Sequence, residues 1–159
     1  MTDMEKKISI EEQLRRDGYL VSTTVGYSMW PMLKNRRDRV IIHAYELGSF
    51  PKKNDLILYI RGDGKYVLHR ALWVDNESCI TRGDNTFYLE DIKNEQILGK
   101  VTEFYRKDRH HTVDSSFYKA YVWAWRILLP VRALLHVLKI GFWKLLSLAK
   151  RTAKKILKK

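Results

Sequence analysis

Asp55-Leu56-Ile57-Leu58-Tyr59-Ile60-Arg61-Gly62-Asp63-Gly64-Lys65-Tyr66-Val67-Leu68-His69-Arg70-Ala71-Leu72-Trp73-Val74 is the stretch that decides the fold. Asp63-Gly64 takes positive φ readily, as a tight hairpin turn requires. The apolar runs on either side, Asp55–Ile60 and Tyr66–Val74, therefore read as two paired antiparallel strands. Working upstream, Arg39–Ala44 and Tyr19–Val25 are rich in β-formers and read as strands. Ser28-Met29-Trp30-Pro31 begins a turn or short helix after the break at Gly26. Ile8, Ile10 and Leu14 lie among Glu11, Glu12, Arg15 and Arg16, which suits a short amphipathic helix that Asp17-Gly18 stops. Working downstream, Asp75-Asn76-Glu77 turns the chain into Ser78–Thr81, Gly83-Asp84-Asn85 is a loop, and Ile97–Tyr105 closes the body. Short strands joined by tight turns predict a mainly β, antiparallel domain.

The remainder of the chain has a different character. Of the net +12 on 159 residues, residues 109–159 carry +11, from 12 Lys/Arg against the single acid Asp114. Residues 1–108 hold 18 Lys/Arg and 17 Asp/Glu. The expected organisation is a near-neutral body, 1–108, followed by a basic tail, 109–159. Ser115 or Ser116 can cap a helix running to about Leu129, and Pro130 must kink or break it. A second helix then runs from Val131 toward Ile156. At 100° per residue, Arg132, His136, Lys139, Lys150 and Lys154 fall within an arc of roughly 60°. Leu134, Leu135, Leu138, Phe142, Leu145 and Leu146 form the apolar face, with Trp123, Trp125 and Trp143 adding aromatic bulk.

A basic face opposite an aromatic, leucine-rich one is the pattern of a helix lying in a membrane interface. Packing on the body or self-association would also use the apolar face, but neither relieves so dense a like charge. Nucleic-acid binding would need stacking aromatics beside the charge, and here they face away from it. The expected partner of residues 115–159 is thus an anionic membrane surface, and no nucleic acid is expected. Met1–Arg16 lacks the apolar run of a signal peptide, and no uninterrupted apolar stretch reaches about 18 residues. The single Cys79 cannot form an internal disulfide. His43, His110, His111 and His136 show no metal-site spacing, so no metal and no cofactor are expected.

Three short segments could carry chemistry. In Gly26-Tyr27-Ser28-Met29-Trp30-Pro31, a serine is held between a residue that frees the backbone and one that fixes it. Taken alone, such a serine is more often a turn or cap residue. His69 lies in an otherwise apolar strand, where a lone histidine is usually a satisfied, half-buried one. A serine hydroxyl is inert at neutral pH without a base, however, and imidazole has a suitable pKa. Asp84 in Thr81-Arg82-Gly83-Asp84-Asn85 is either a turn former or the carboxylate that orients His69.

The order and spacing of the three segments resemble the signal peptidase I group of serine peptidases, whose superfamily also holds the LexA-type self-cleaving repressors. The nucleophile motif Ser-Met-x-Pro of that group is matched by Ser28-Met29-Trp30-Pro31. Arg37-Asp38-Arg39-Val40 stands where a Gly-Asp-x-Val-type segment follows, with Arg in place of Gly. His69-Arg70 is similar to the base segment of the endoplasmic-reticulum and archaeal branch. Thr81-Arg82-Gly83-Asp84-Asn85 matches Thr-Lys-Gly-Asp-Asn. The resemblance covers roughly residues 18–103.

It implies a compact, antiparallel, β-barrel-like catalytic domain with Ser28 as nucleophile and His69 as general base. Asp84 matches the family's Gly-Asp position, and Glu90 or Asp91, standing where a second acid usually lies, are the alternative third members, so which carboxylate faces His69 stays open. The resemblance implies small side chains just before the cut, with Tyr27, Met29 and Trp30 as candidates for the pocket. Gly26 occupies the place of a hydroxyl that helps some members hold the oxyanion, so backbone N–H groups, including that of Ser28, would do so here. The expected activity is that of a serine endopeptidase removing a signal or leader peptide from a precursor. The enzyme would be peripheral on the cytoplasmic face of a membrane, because a basic tail favours an anionic cytosolic leaflet. The rival expectation is a non-catalytic membrane-surface adaptor that keeps the peptidase fold.

Overall fold

The computed structural model describes the backbone of residues 8–46 and 49–156, with side chains throughout except at 148, 149 and 151–156. Met1–Lys7 and the side chain of Lys154, both part of the sequence-based expectations, lie outside the described residues. The chain forms two compact units, Met1–Ala120 and Tyr121–Lys159.

The first unit opens with α1, Ile10–Asp17. Ser9 caps it by accepting from the Glu12 N–H at 3.1 Å. Glu11 and Glu12 sit in the first turn and Arg15 and Arg16 in the last, each complementing the helix dipole. Gly18, at φ 75°, ends the helix by donating to the Leu14 carbonyl. Eight strands follow: β1 Tyr19–Thr23, β2 Arg39–Ala44, β3 Leu56–Ile60, β4 Tyr66–Val74, β5 Ser78–Arg82, β6 Glu90–Lys93, β7 Ile97–Arg106 and β8 Arg109–Thr112. They form one sheet in the order β1-β2-β7-β3-β4-β5-β6, with β8 beside β7. Every pairing is antiparallel.

The expected strands are all present, and two are added. β6 is a polar quartet in which only Ile92 is apolar, and β8 is Arg-His-His-Thr. Both form because a neighbouring strand offers a ladder, a context that local propensity does not contain. β8 also brings into the sheet four residues that the charge division assigned to the tail. β1 ends at Thr23, short of the expected Val25, because the Thr24 N–H and hydroxyl turn to the Asp38 carbonyl at 2.9 and 3.1 Å. The expected barrel-like closure is not made. β1 and β6 end the order of strands and do not pair with each other, so the sheet is open. Between β3, β4, β5 and β6, Ile57, Tyr59, Ala71, Cys79 and Ile92 form a core cluster. Burial pushes the Cys79 thiol up to about 11, which makes it a packing residue rather than a nucleophile.

The tail helices are α2, Ser116–Ile127, and α3, Leu129–Ile156. Ser115 Oγ caps α2 by accepting from the Tyr118 N–H at 3.3 Å. Pro130 falls in the first turn of α3, where its missing N–H costs nothing, and the two helices meet at a bend of 52°. Among the described residues no single helix is long and apolar enough to cross a membrane; Ser116–Ile127 and Leu129–Ser147 meet that criterion only as a bent pair. In the second unit, Tyr121 stacks on Trp125, and the Arg132 guanidinium lies 3.7 Å from the Trp125 ring centre. Leu134, Leu135, Leu138, Phe142, Trp143 and Leu145 are all exposed.

Gly99 sits in β7, opposite Ala44 of β2 and Leu58 of β3. A Cβ there would collide with the backbone carbonyl of His43. Gly99→Ala is expected to lower stability to urea by about 2 kcal/mol. Gly62→Ala, where a Cβ meets nothing within 4 Å, should stay within about 0.5 kcal/mol.

Candidate functional site

The Ser28 turn is held at both ends. The Gly26 N–H donates to Asn35 Oδ1 at 2.9 Å, with Gly26 at φ 96°, a conformation that favours glycine. Asp38 is fully buried and ties the return arm. Its carboxylate accepts from the Lys34 N–H at 2.8 Å, the Lys107 N–H at 3.1 Å and the Arg37 guanidinium at 2.6 and 2.9 Å. Burial alone would raise the Asp38 carboxyl, but these hydrogen bonds outweigh it and keep it below the usual range. The Asp38 of the Arg37-Asp38-Arg39-Val40 segment thus anchors the loop that presents Ser28.

His69 comes from β4 and is 1% exposed. Its position relative to Ser28 is given by Gly83. A Cβ built on Gly83 would lie 2.9 Å from Ser28 Cβ and 3.0 Å from His69 Nε2. The two side chains therefore converge on one small volume, which only a glycine leaves free. The Gly83-Asp84-Asn85 loop is bonded to the same turn: the Asn85 N–H donates to the Ser28 carbonyl at 2.7 Å and Asn85 Nδ2 to the Tyr27 carbonyl at 3.1 Å.

The other imidazole nitrogen faces a hydroxyl. His69 Nδ1 lies 3.1 Å from the Tyr59 hydroxyl, which donates its proton to Glu90 Oε2 at 2.8 Å. A phenol has one proton, so toward the imidazole its oxygen must accept. Nδ1 therefore carries the hydrogen, and Nε2 presents a lone pair on the Ser28 side. Glu90 Oε1 is 3.7 Å from Nδ1, and Arg61 holds the same carboxylate in a two-pronged pair at 2.5 and 2.9 Å. Burial would raise Glu90, yet the hydrogen bonds from Arg61 and Tyr59 hold it below the ordinary glutamate value. Burial pulls His69 down to about 4, a shift that Glu90 opposes only in part.

Of the three candidate carboxylates, Glu90 is the one on the Nδ1 side of His69, reached through Tyr59, whereas Asp84 is hydrogen-bonded to Arg70. His69 and Arg70 are consecutive in a strand and point to opposite faces. Asp84 is held in a fork by Arg70, whose Nε and Nη2 donate to its two oxygens at 2.8 and 2.7 Å, and its charge, like that of Glu90, works against the lowering of the His69 pKa by burial. Asp91 alternates outward from Glu90 and is exposed. Tyr59 and Arg61 were not legible as site residues. Tyr59 sits two residues along β3 from Ile57, the partner of His69, on the same buried face. A buried tyrosine needs a hydrogen-bond partner, and that requirement was the signal available.

Ser28 and His69 both line a cavity of about 320 Å³, whose walls include Ser22–Gly26, Met29, Leu33, Leu58, Tyr66–Leu68 and Tyr88. Of the three expected pocket residues, only Met29 lines this cavity. Tyr27 and Trp30 are exposed instead, because successive residues of a tight turn diverge. The cavity runs between two free backbone edges. Among the described residues the outer edge of β1 has no ladder partner, and β5 pairs β4 only from Arg70 onward, leaving Tyr66–His69 without it. Among the described residues there is no cluster of His, Cys, Asp or Glu that could hold a metal ion.

No protein-family model matches the chain, and no curated protein matches its sequence.

The lowered His69 pKa carries a stability consequence of fixed sign. The unfolded imidazole binds a proton below about 6.5, whereas the folded one resists until about 4. Stability is therefore lost as pH falls through that window, by about 3 kcal/mol at its foot. Glu90, held below its ordinary value, adds a loss of the same sign at the acid end. Urea denaturation at pH 7 and at pH 4.5 is expected to show this fall, and His69→Gln should flatten it.

Proposed function

We propose that this chain is a serine endopeptidase of the signal peptidase I and LexA type, in which Ser28 is the nucleophile and His69 the general base. The observation that carries the reading is the convergence of Ser28 Cβ and His69 Nε2 on the space above Gly83, with the far nitrogen of the imidazole already bonded to Tyr59. In the proposed reaction His69 Nε2 takes the Ser28 hydroxyl proton as Oγ attacks a peptide carbonyl. The resulting imidazolium is stabilised through Nδ1 by Tyr59 and Glu90. The leaving amine takes the proton from Nε2, and water then hydrolyses the acyl-enzyme by the same route in reverse. Backbone N–H groups of the Ser28 turn, Ser28 among them, would hold the oxyanion. No cofactor enters any step.

The two free edges flanking the cavity suit a substrate bound as an extended strand, its main chain hydrogen-bonded to β1 or to Tyr66–His69. That favours an unfolded segment such as the signal or leader of a precursor. The tail supports a membrane location. α3 exposes Leu134, Leu135, Leu138, Phe142 and Leu145 on one side and carries Arg132, His136, Lys139 and Lys150 on another, with Trp143 among these basic residues, a combination that an anionic lipid surface satisfies at once. The proposed enzyme is therefore peripheral, on the cytoplasmic face.

A fluorophosphonate probe is expected to label Ser28, with labelling lost in Ser28→Ala and reduced at least a hundredfold in His69→Ala, while both variants keep the wild-type circular dichroism. An unlabelled but folded wild type that still binds lipid would instead establish the membrane-surface adaptor. For the tail, sedimentation with vesicles containing anionic lipid should show binding that weakens as salt is raised. The full-length variant Lys139→Glu/Lys144→Glu should bind about tenfold more weakly. Unchanged binding would remove the membrane assignment while leaving the peptidase reading intact.

A further inference from the structure

The basic tail begins inside the catalytic body. Tyr118 lies in the first turn of α2, within the first compact unit, and is 6% exposed. Its hydroxyl oxygen accepts from Arg70 Nη1 at 2.8 Å, and its ring packs against Phe104 of β7 at 5.8 Å between centres. Arg70 has nowhere else to place that N–H. Nε and Nη2 form the fork to Asp84, Nη1 also reaches the Asn54 carbonyl at 3.1 Å, and the whole guanidinium is buried. Asp84 belongs to the loop whose next residue, Asn85, donates its N–H to the Ser28 carbonyl, and whose previous residue, Gly83, stands against Ser28 Cβ and His69 Nε2. Hydrogen bonds thus link Tyr118 to Arg70 and Arg70 to Asp84, and the next residue of the same loop, Asn85, is bonded to the backbone that carries Ser28.

We propose that Tyr118 is a positioning residue of the site: its hydroxyl fixes the Arg70–Asp84 fork and through it the Gly83–Asn85 loop against Ser28. The first turn of the tail helix is then a working part of the catalytic body, separate from the lipid-facing α3. The catalytic half of this statement rests on the peptidase reading, whereas the structural half does not. Removing the hydroxyl takes the acceptor from one of the two Nη1 hydrogens, the other staying on the Asn54 carbonyl at 3.1 Å, and so leaves a buried guanidinium N–H unpaired. The fork can answer only by shifting toward the Asn54 carbonyl, and Asp84 is carried with it.

The test is Tyr118→Phe in the full-length protein, which keeps the ring and its packing on Phe104. Hydrogen exchange read by mass spectrometry is the measurement that does not depend on activity. Peptides covering 83–86 are expected to exchange at least tenfold faster, with peptides in β2 and β7 unchanged. The fluorophosphonate labelling rate of Ser28 should fall about tenfold, and Arg70→Lys, which loses the planar fork, should reproduce both effects. Unchanged exchange at 83–86, or faster exchange spread evenly over the sheet, would overturn the positioning role. A wild type that is never labelled, together with faster exchange confined to 83–86 in the variant, would sink the peptidase reading and leave the link from Tyr118 to the loop standing.

Discussion

The buried pair of Arg70 and Asp84 is the constraint on which the arrangement of the site depends. Two charges are taken almost entirely out of water, 3% and 4% of their side chains remaining exposed. Such a transfer costs several kcal/mol per ion and is recovered only when geometry is good and the remaining donors are satisfied. Both conditions hold. The fork is two-pronged at 2.7 and 2.8 Å, and Asn54 and Tyr118 take the outer N–H groups. An ion pair so buried has one arrangement. It fixes the Gly83–Asn85 loop relative to β4, and β4 carries His69 one residue before Arg70. The same pair therefore sets the height of the loop over the imidazole, and Gly83 lets the loop come close enough for Ser28 and His69 to share a space.

The electrostatics of the imidazole follow from its place in that frame. Burial disfavours the charged ring, so His69 stands neutral throughout the physiological range. A neutral ring with its proton on Nδ1 is the form a general base requires at Nε2. Glu90 does not touch the ring at hydrogen-bond distance; Tyr59 stands between, and Arg61 shares the carboxylate. The partner offered to an imidazolium is thus a polarised phenol backed by a half-neutralised carboxylate. That arrangement fixes the tautomer firmly while leaving the resting ring uncharged.

The hairpin Asp55–Val74 and the ends of β2 and β4 were legible because Asp63-Gly64 and the apolar runs are local signals. β6 and β8 were not, since Glu90–Lys93 and Arg109–Thr112 become strands only where a neighbour supplies the ladder. The openness of the sheet was equally hidden, because closure is a relation between β1 and β6, which are far apart along the chain. Ser28 and His69 were singled out through a motif resemblance, and their side chains do converge on one space above Gly83. Which of Asp84, Glu90 and Asp91 faces His69 was left open for a geometric reason. Adjacent residues of a strand face opposite ways, so a motif that reads His69-Arg70 and Gly83-Asp84 in order does not reveal which of the first pair meets the carboxylate. Tyr59 could be recognised only after pairing had put β3 beside β4.

The tail poses a different physical problem. α3 presents exposed apolar bulk and concentrated positive charge at once, and these make opposite demands. A protein surface that buried the leucines would leave the like charges repelling one another; an aqueous polyanion that neutralised the lysines would leave Leu134, Leu138 and Phe142 in water. An interface with hydrocarbon on one side and anionic headgroups on the other meets both demands with one orientation of the helix, which is why the proposed location is a membrane surface rather than a second protein. Tyr118, buried in the body, and Leu134, exposed on α3, then belong to one continuous stretch of chain with two tasks. Its beginning holds the loop under Ser28, and its remainder supplies the amphipathic face.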